Sequence, residues 1–450
     1  MLLIGTARVG RESTLFAGAL GWVRRVPSRA MRWARSAPAR LAYRTLEAVN
    51  RRRARRAPAP DTGTVRILLL HAYGMGGTIR TVFNLAGYLA RTRDVEIVSA
   101  VRTNEEPFFP LPPGVRVSFL DDRTVPPGRL AKLLSRYPSR LVPEQENAYR
   151  TFTLYTDLRL VRYLRSLRTG VVIATRPAFA LNVALFAPPE VITIAQEHVT
   201  LESHAPEMQA RMKRRYGRLD AFVTLTRADL RQYKQMLKRA RPAHLLRIPN
   251  AVPPLAGDVS TLEEKVAIAI GRVVHAKGFD RLVNAWKQVA VEHPDWVLRI
   301  YGAGTPEREE RLRTRIADAG LSDRILLMGS TPDVGLALAQ SSIYLVGSRY
   351  EGFGMTILEA MSKGVPVVSF DCPHGPREII THESDGLLVR SKRAAVFGEA
   401  VLRVIEDAEL RAKMGENAVR TAAQYDLDEI GAQWDALLEE VTATRLAARG

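Results

Sequence analysis

A single cysteine, Cys372, is all that the 450 residues contain. An internal disulfide and a cysteine-built zinc cluster are thereby excluded, and the composition suits a reducing, cytoplasmic compartment. Lysine is also scarce, at 10 of the 66 basic residues, the remaining 56 being arginine. Acids are nearly missing from residues 1–60, where 14 arginines stand against Glu12 and Glu47 alone, so this segment holds +12 of the formal net charge of +19. Long apolar runs are missing there too. The longest, Leu15–Val23, has nine residues, about half of what a membrane span requires, and arginines follow it instead of a small-residue cleavage site. Several motifs fail to appear. A dinucleotide fingerprint would need glycine at Ile79, and no Gly-Lys-Ser/Thr phosphate loop or His-Glu-x-x-His occurs. The eight histidines are scattered, and the Asp-x-Asp of Asp426 and Asp428 opens the final helical run, where it reads as a cap. Neither a metal site nor a cofactor is expected.

The basic segment, residues 1–62, precedes the first strand. Arg25, Arg29, Arg32, Arg40 and Arg44 recur at near-helical spacing opposite Met31, Ala34 and Leu41, with Pro38 interrupting. Such a segment could lie on an anionic membrane surface, each engaged cation adding about 1 kcal/mol. A disordered basic tail and a start placed too far upstream are the competing readings, and all three stay open. Nucleic acid is not the expected partner, because Trp22, Trp33 and Tyr43 are too sparse to stack bases between the cations.

Beyond it the composition is that of an ordinary globular chain, with 46% hydrophobic residues, and the length suggests two domains. Strand Val65–His71 leads into Gly74, Gly76, Gly77 and Thr78, the last a plausible cap for an apolar-periodic helix over Ile79–Ala90. Further apolar runs at Val95, Val115, Val171, Val191, Ala221 and Leu245 are mostly separated by helix-length segments such as Asp157–Leu167 and Arg227–Lys238. The pattern lapses near Asn250–Gly257. It restarts with Val266–Ile270, a helix over Asp280–His293, and runs at Val297, Ile325, Ile343 and Val365, before a last helix over Leu427–Ala447. Strands alternating with helices imply parallel sheets covered on both faces. The expected class is α/β, with two doubly wound Rossmann-like domains over residues 63–255 and 256–423 facing a cleft, and residues 424–450 returning to the first domain. In such sheets ligands bind beyond the C-terminal strand ends, where the loops at Gly74, His198, Gly271, Gly302 and Gly352 fall.

The densest of these loops lies in Ser348–Gly364, which reads as strand end, glycine loop and short helix. Thr356 and Glu359 have capping-box spacing and Gly364 suits a helix end, predicting a helix over about Ile357–Lys363. Its N-terminal amides would point at the loop of Gly352 and Gly354, an anion-ready arrangement. Glu351 and Glu359 flank it, and carboxylates there suggest recognition of sugar or ribose hydroxyls. The other reading is that Glu359 only closes the capping box and Glu351 is solvated.

These residues resemble a family, the retaining glycosyltransferases of the GT-B fold, in the large group with sucrose-phosphate synthases, mannosyltransferases and bacterial cell-envelope enzymes. The resemblance covers roughly residues 63–447. Glu351-Gly-Phe-Gly-Met-Thr-Ile-Leu-Glu359 looks like that family's paired-glutamate motif, Gly271-Arg272 and Lys277-Gly278 like its phosphate clamp, and Asp385-Gly386-Leu-Leu-Val like its following turn; Gly76, Gly77 and His198 also match. Asp371-Cys-Pro-His374-Gly is similar to the subset acting on polyol-phosphate polymers. The resemblance implies a metal-independent hexosyltransferase with a nucleotide-sugar donor, UDP-linked by family habit, and an acceptor such as an envelope polymer or a lipid-linked sugar. It implies that Arg272 and Lys277 meet the diphosphate and Glu359 the ribose, with His198 near the scissile bond. Glu351 and the loop of Gly352, Phe353, Gly354 and Met355 would touch the donor, together with Gly76, Gly77 and Gly271, and His374 the acceptor. A same-fold phosphorylase or sugar-nucleotide epimerase is the alternative.

Overall fold

The computed structural model describes residues 58–448. The arginine pattern of the N-terminal segment lies outside them up to residue 57. A seven-stranded sheet, all parallel, comprises β1 (Thr64–His71), β2 (Asp94–Arg102), β3 (Val115–Asp122), β4 (Val171–Ala174), β5 (Ile192–Gln196), β6 (Ala221–Thr224) and β7 (His244–Arg247), in spatial order β3-β2-β1-β4-β5-β6-β7. A second parallel sheet comprises β8 (Val266–Ile270), β9 (Val297–Tyr301), β10 (Ile325–Gly329), β11 (Ile343–Val346), β12 (Val367–Phe370) and β13 (Gly386–Val389), in order β10-β9-β8-β11-β12-β13. Each sheet is doubly wound, as the alternating pattern predicted, and its strand order reverses beside its first strand, β1 or β8.

Burial explains which strands the sequence showed most clearly. β4, β5, β6, β11 and β12 are buried at every residue, because helices cover both sheet faces and most of their side chains are apolar. The edge strands β3 and β10 mix buried and open positions, and β7 is half-buried throughout. β12 begins at Val367 because Pro366 has no N–H to donate to the ladder. β13 corrects the expectation of a turn alone at Asp385–Val389. The turn is present, with the buried Asp385 accepting from the Thr381 amide and the Thr421 hydroxyl, but Gly386–Val389 then pairs with β12.

The chain passes between the sheets through residues 248–265, with no helix or strand, and Val252 N donates to the Tyr425 carbonyl where it returns. The Leu427–Ala447 helix then buries Ile430, Trp434, Leu437, Leu438 and Val441 in the apolar layer beneath the first sheet, beside the Gly77–Leu89 helix. Asp426 caps it, its side chain accepting from Asp428 N. No described helix is long and apolar enough to cross a membrane.

Candidate functional site

The loops that leave β1, β5, β8, β9 and β11 at their C-terminal ends line one cavity of about 480 Å³ between the two sheets. From the first domain come Gly76, Gly77, Arg80 and His198. From the second come Gly271, Arg272, Lys277, Glu351, Gly352, Phe353, Gly354, Met355 and Glu359. Of the residues given a catalytic, donor or acceptor role in the sequence, His374 is not brought to this wall.

The helix after β11 spans Met355–Ser362, two residues ahead of the predicted start, with Gly354 as its N-cap in the left-handed region at φ 98°. The predicted capping box does not form: no side chain caps this helix, and Glu359 sits in its second turn. Glu359 instead projects across the cleft, where Oε1 accepts from Arg80 Nη1 of the first domain at 2.9 Å. The helix start is left with free amides facing the cavity and no acid in its first turn, an environment suited to an anion.

Glu351 has a partner that the sequence did not reveal. Its Oε2 accepts from Lys277 Nζ at 2.7 Å and from Ser348 Oγ at 3.0 Å. Gly278 makes the approach of the β8 and β11 loops possible, since at φ 64° a Cβ there would stand 2.0 Å from the Gly347 carbonyl oxygen. Arg272 extends from the same loop as Lys277, exposed and with no ion-pair partner among the described residues. At Gly76 and Gly77, by contrast, a Cβ would meet no protein atom within 4 Å. Nothing in the chain itself requires glycine there; the space belongs to the cavity.

His198 stands opposite, its carbonyl close enough that a Cβ on Gly352 would lie 3.2 Å away. Its imidazole is packed against protein, and burial, partly offset by Glu197, lowers its pKa to about 4, so the ring is neutral at ordinary pH. Nε2 is buried without a hydrogen-bond partner in the protein, a group that a bound hydroxyl would satisfy. Beneath it Glu197 fixes the loop. Oε1 accepts from the His198 and Val199 amides at 3.1 and 3.3 Å, and Oε2 meets His204 Nε2 at 3.0 Å and the Tyr233 hydroxyl at 2.9 Å. Burial opposes charge on His204, yet the bond to Glu197 and its charge together outweigh burial and raise the pKa.

Glu359 is buried, and desolvation raises its pKa, against the lowering influence of Arg80 and Lys277. His374 departs from the expected acceptor position. It is buried as the residue before the Gly375–Ile379 helix, with Nδ1 3.3 Å from Asp229 Oδ1 of the first domain, so its ring is engaged in holding the domains together. Phe353 is buried against Tyr425, leaving mainly its backbone to the cavity. Sequence reasoning missed Arg80 and Glu197. Arg80 had no signal beyond lying in a helix after a glycine turn. Glu197 adjoins His198, but its partners come from later segments. Among the described residues no group of three or more His, Cys, Asp and Glu could hold a metal ion.

Comparison with known proteins adds the following. Residues 258–421 match the family model described as "Glycosyl transferases group 1". An exopolysaccharide phosphotransferase of Streptomyces coelicolor is 34% identical over 394 residues, covering 85% of this chain and 41% of its own length. An uncharacterized glycosyltransferase of Haemophilus influenzae is 24% identical over 382 residues, covering 83% of this chain and 99% of its own length. Among solved structures, that of an S. aureus TarM mutant with Fondaparinux, alpha-GlcNAc-glycerol and UDP superposes with a TM-score of 0.66 at 14% identity, over 84% of this chain and 100% of that one. This chain thus spans less than half of the first relative and nearly all of the second.

Proposed function

We propose that this chain, whose residues 258–421 match the group 1 glycosyl transferases and whose two sheets form the GT-B fold, moves a hexose from a nucleoside-diphosphate sugar to an acceptor hydroxyl. Retention at the anomeric carbon and independence of metal are part of the proposal. The observation that carries it is the convergence in one cavity of Arg272, Lys277, a free helix N-terminus, two glutamates and the neutral His198.

The roles follow from charge. A departing nucleoside diphosphate accumulates negative charge as the glycosidic bond lengthens. Arg272, Lys277 and the amides of the Met355–Ser362 helix would meet that charge more strongly in the transition state than before it. Lys277 is held in place by Glu351. Glu359 is acceptor-only when ionised, so it suits the ribose hydroxyls, which would take the place of Arg80 on its carboxylate. The acceptor oxygen would attack the anomeric carbon on the face that the phosphate leaves, and the leaving phosphate oxygen would take the acceptor proton. No protein nucleophile is needed. Neutral His198 would orient a sugar or acceptor hydroxyl through its unpartnered Nε2. UDP and alpha-GlcNAc-glycerol in the TarM structure support a uridine donor and a glycerol-like acceptor.

One observation favours a second reading, the name of the 34%-identical relative, a phosphotransferase. The two leave different products. Incubating the protein with a panel of nucleotide sugars and soluble polyols, with and without a chelator, and following proton and phosphorus NMR separates them. Release of nucleoside diphosphate with a phosphate-free product of unchanged anomeric configuration, insensitive to chelator, is expected. An inverted product or loss of turnover with chelator would overturn retention or metal independence. Phosphate retained in the product would establish the second reading, and turnover of no donor would reject both.

A further inference from the structure

After β3, the edge strand of the first sheet, the chain runs from Arg123 to Arg140 off the strand end at which the cleft opens. Five cations occur in this stretch, and no Asp or Glu appears between Arg123 and Pro143. Arg123 is taken up by Asp121. The side chains of Arg129, Lys132, Arg136 and Arg140 are exposed, with no ion-pair partner among the described residues. Between them lies the short Arg129–Leu134 helix, which turns Ala131 inward. Leu130, Leu133 and Tyr137 remain 57%, 51% and 52% exposed. Leu130 and Leu133, three residues apart, share one face of that helix, and Tyr137 follows in the turn beyond its end, with cations beside them.

We propose that this strip is a docking surface for an anionic lipid bilayer. Leu130, Leu133 and Tyr137 would enter the boundary between headgroups and acyl chains while Arg129, Lys132, Arg136 and Arg140 meet lipid phosphates. The charge selects a negative partner. The paired leucines select one with an apolar interior, because a soluble polyanion would use the cations and leave the leucines in water. A helix of six residues cannot bury its leucines within itself, and it packs on the domain through one alanine and parts of Leu134, which leaves the outer face for the bilayer. None of these residues lines the cleft, so the surface and the transfer chemistry stand or fall separately. The docked orientation would place the cleft mouth toward the membrane, where a lipid-linked or envelope-bound acceptor would be met.

The test uses the whole 450-residue chain. Its only cysteine, Cys372, is buried, so Leu133→Cys can be labelled selectively with an environment-sensitive fluorophore. Vesicles containing phosphatidylglycerol should brighten and blue-shift the label and expose it to a lipid-borne quencher, whereas phosphatidylcholine vesicles and soluble heparin should not. In vesicle sedimentation, Leu130→Ser with Leu133→Ser should weaken binding about tenfold, and removing Arg129, Lys132 and Arg136 about fivefold per cation. Transfer to a soluble acceptor should be unchanged in both. A label that stays in water while the protein sediments with vesicles would overturn the proposal, since another surface would then carry the binding. So would an equal response to heparin, which would mark a polyanion site.

Discussion

Glu351 and Glu359 flank one helix start, yet their surroundings give them different duties. Glu351 is spent on positioning Lys277, while Glu359 is buried, raised in pKa by desolvation, and held by a cation from the other domain. Losing a preorganised group that meets developing charge costs about a hundredfold in rate. Lys277→Ala and Glu359→Ala are each expected to lower kcat/KM by at least about that factor; steady-state kinetics showing values near the parent enzyme would remove both residues from the site. His198 gives a second check. Its ring is deprotonated at a pKa of about 4 because burial penalises the cation. In NMR its ring proton should titrate near that value rather than near the usual 6.5 or so, and kcat/KM should show no inflection from His198 above about pH 5. At this scale the sequence was informative where a motif is local. Lys277, Glu351 and Glu359 could be named because each lies in or just after a glycine-containing loop that follows an apolar run, and His198 because it follows the run Val191–Ala195. Arg80 could not, as one of 56 arginines, and His374 was misplaced because Asp229, which holds it, lies 145 positions earlier.

Elements were legible in proportion to their burial. Val266–Ile270 has the predicted limits and Ile343 opens its strand as predicted, since a strand covered on both faces must be apolar throughout. Gly386–Val389 was missed because four residues at an edge carry little periodicity. The helix of the site shows how a local rule loses to tertiary structure: the spacing of Thr356 and Glu359 fits a capping box, but Arg80 across the cleft claims the carboxylate. Gly354 in the left-handed region starts the helix instead. The loop that carries Lys277 depends on a similar backbone feature. Gly278 combines a positive φ with a gap of 2.0 Å between an added Cβ and the Gly347 oxygen. Gly278→Ala must therefore both strain its own backbone and push apart the β8 and β11 loops, at about 2 kcal/mol or more. Urea unfolding is expected to show that loss, and kcat/KM should fall as Lys277 moves from Glu351. A variant within about 0.5 kcal/mol of the parent would mean that the loops part without cost.

Over the whole molecule, ion pairs to three acids tie the two domains together among the described residues. Arg80 meets Glu359 at the cavity, Asp229 meets His374, and Arg247 reaches Glu378 at 2.7 Å while Arg227 N donates to the same carboxylate. The first lies where the donor ribose is proposed to bind, so donor binding and release of one domain contact would be linked. The other two involve no residue that lines the cavity and would persist. Only the Asp229–His374 contact depends on pH in the neutral range. The Asp229 carboxylate raises the His374 pKa, opposed by burial and supported by the more distant Glu202 and Glu378. A histidine whose pKa is raised on folding contributes stability that is fully present below its unfolded value, about 6.5, and that fades as pH rises through the folded value. Asp229→Asn removes the charge but keeps the shape. Its loss of Tm relative to the parent should therefore be greatest near about pH 6 and shrink by about pH 9. The buried Asp229 also accepts from Thr226 Oγ1 at 2.6 Å, a bond independent of this titration, so a remainder on the order of 1 kcal/mol should persist at high pH. A Tm deficit that is flat across this range, or that grows with pH, would show that His374 is neutral in the folded protein and that the contact is an ordinary hydrogen bond.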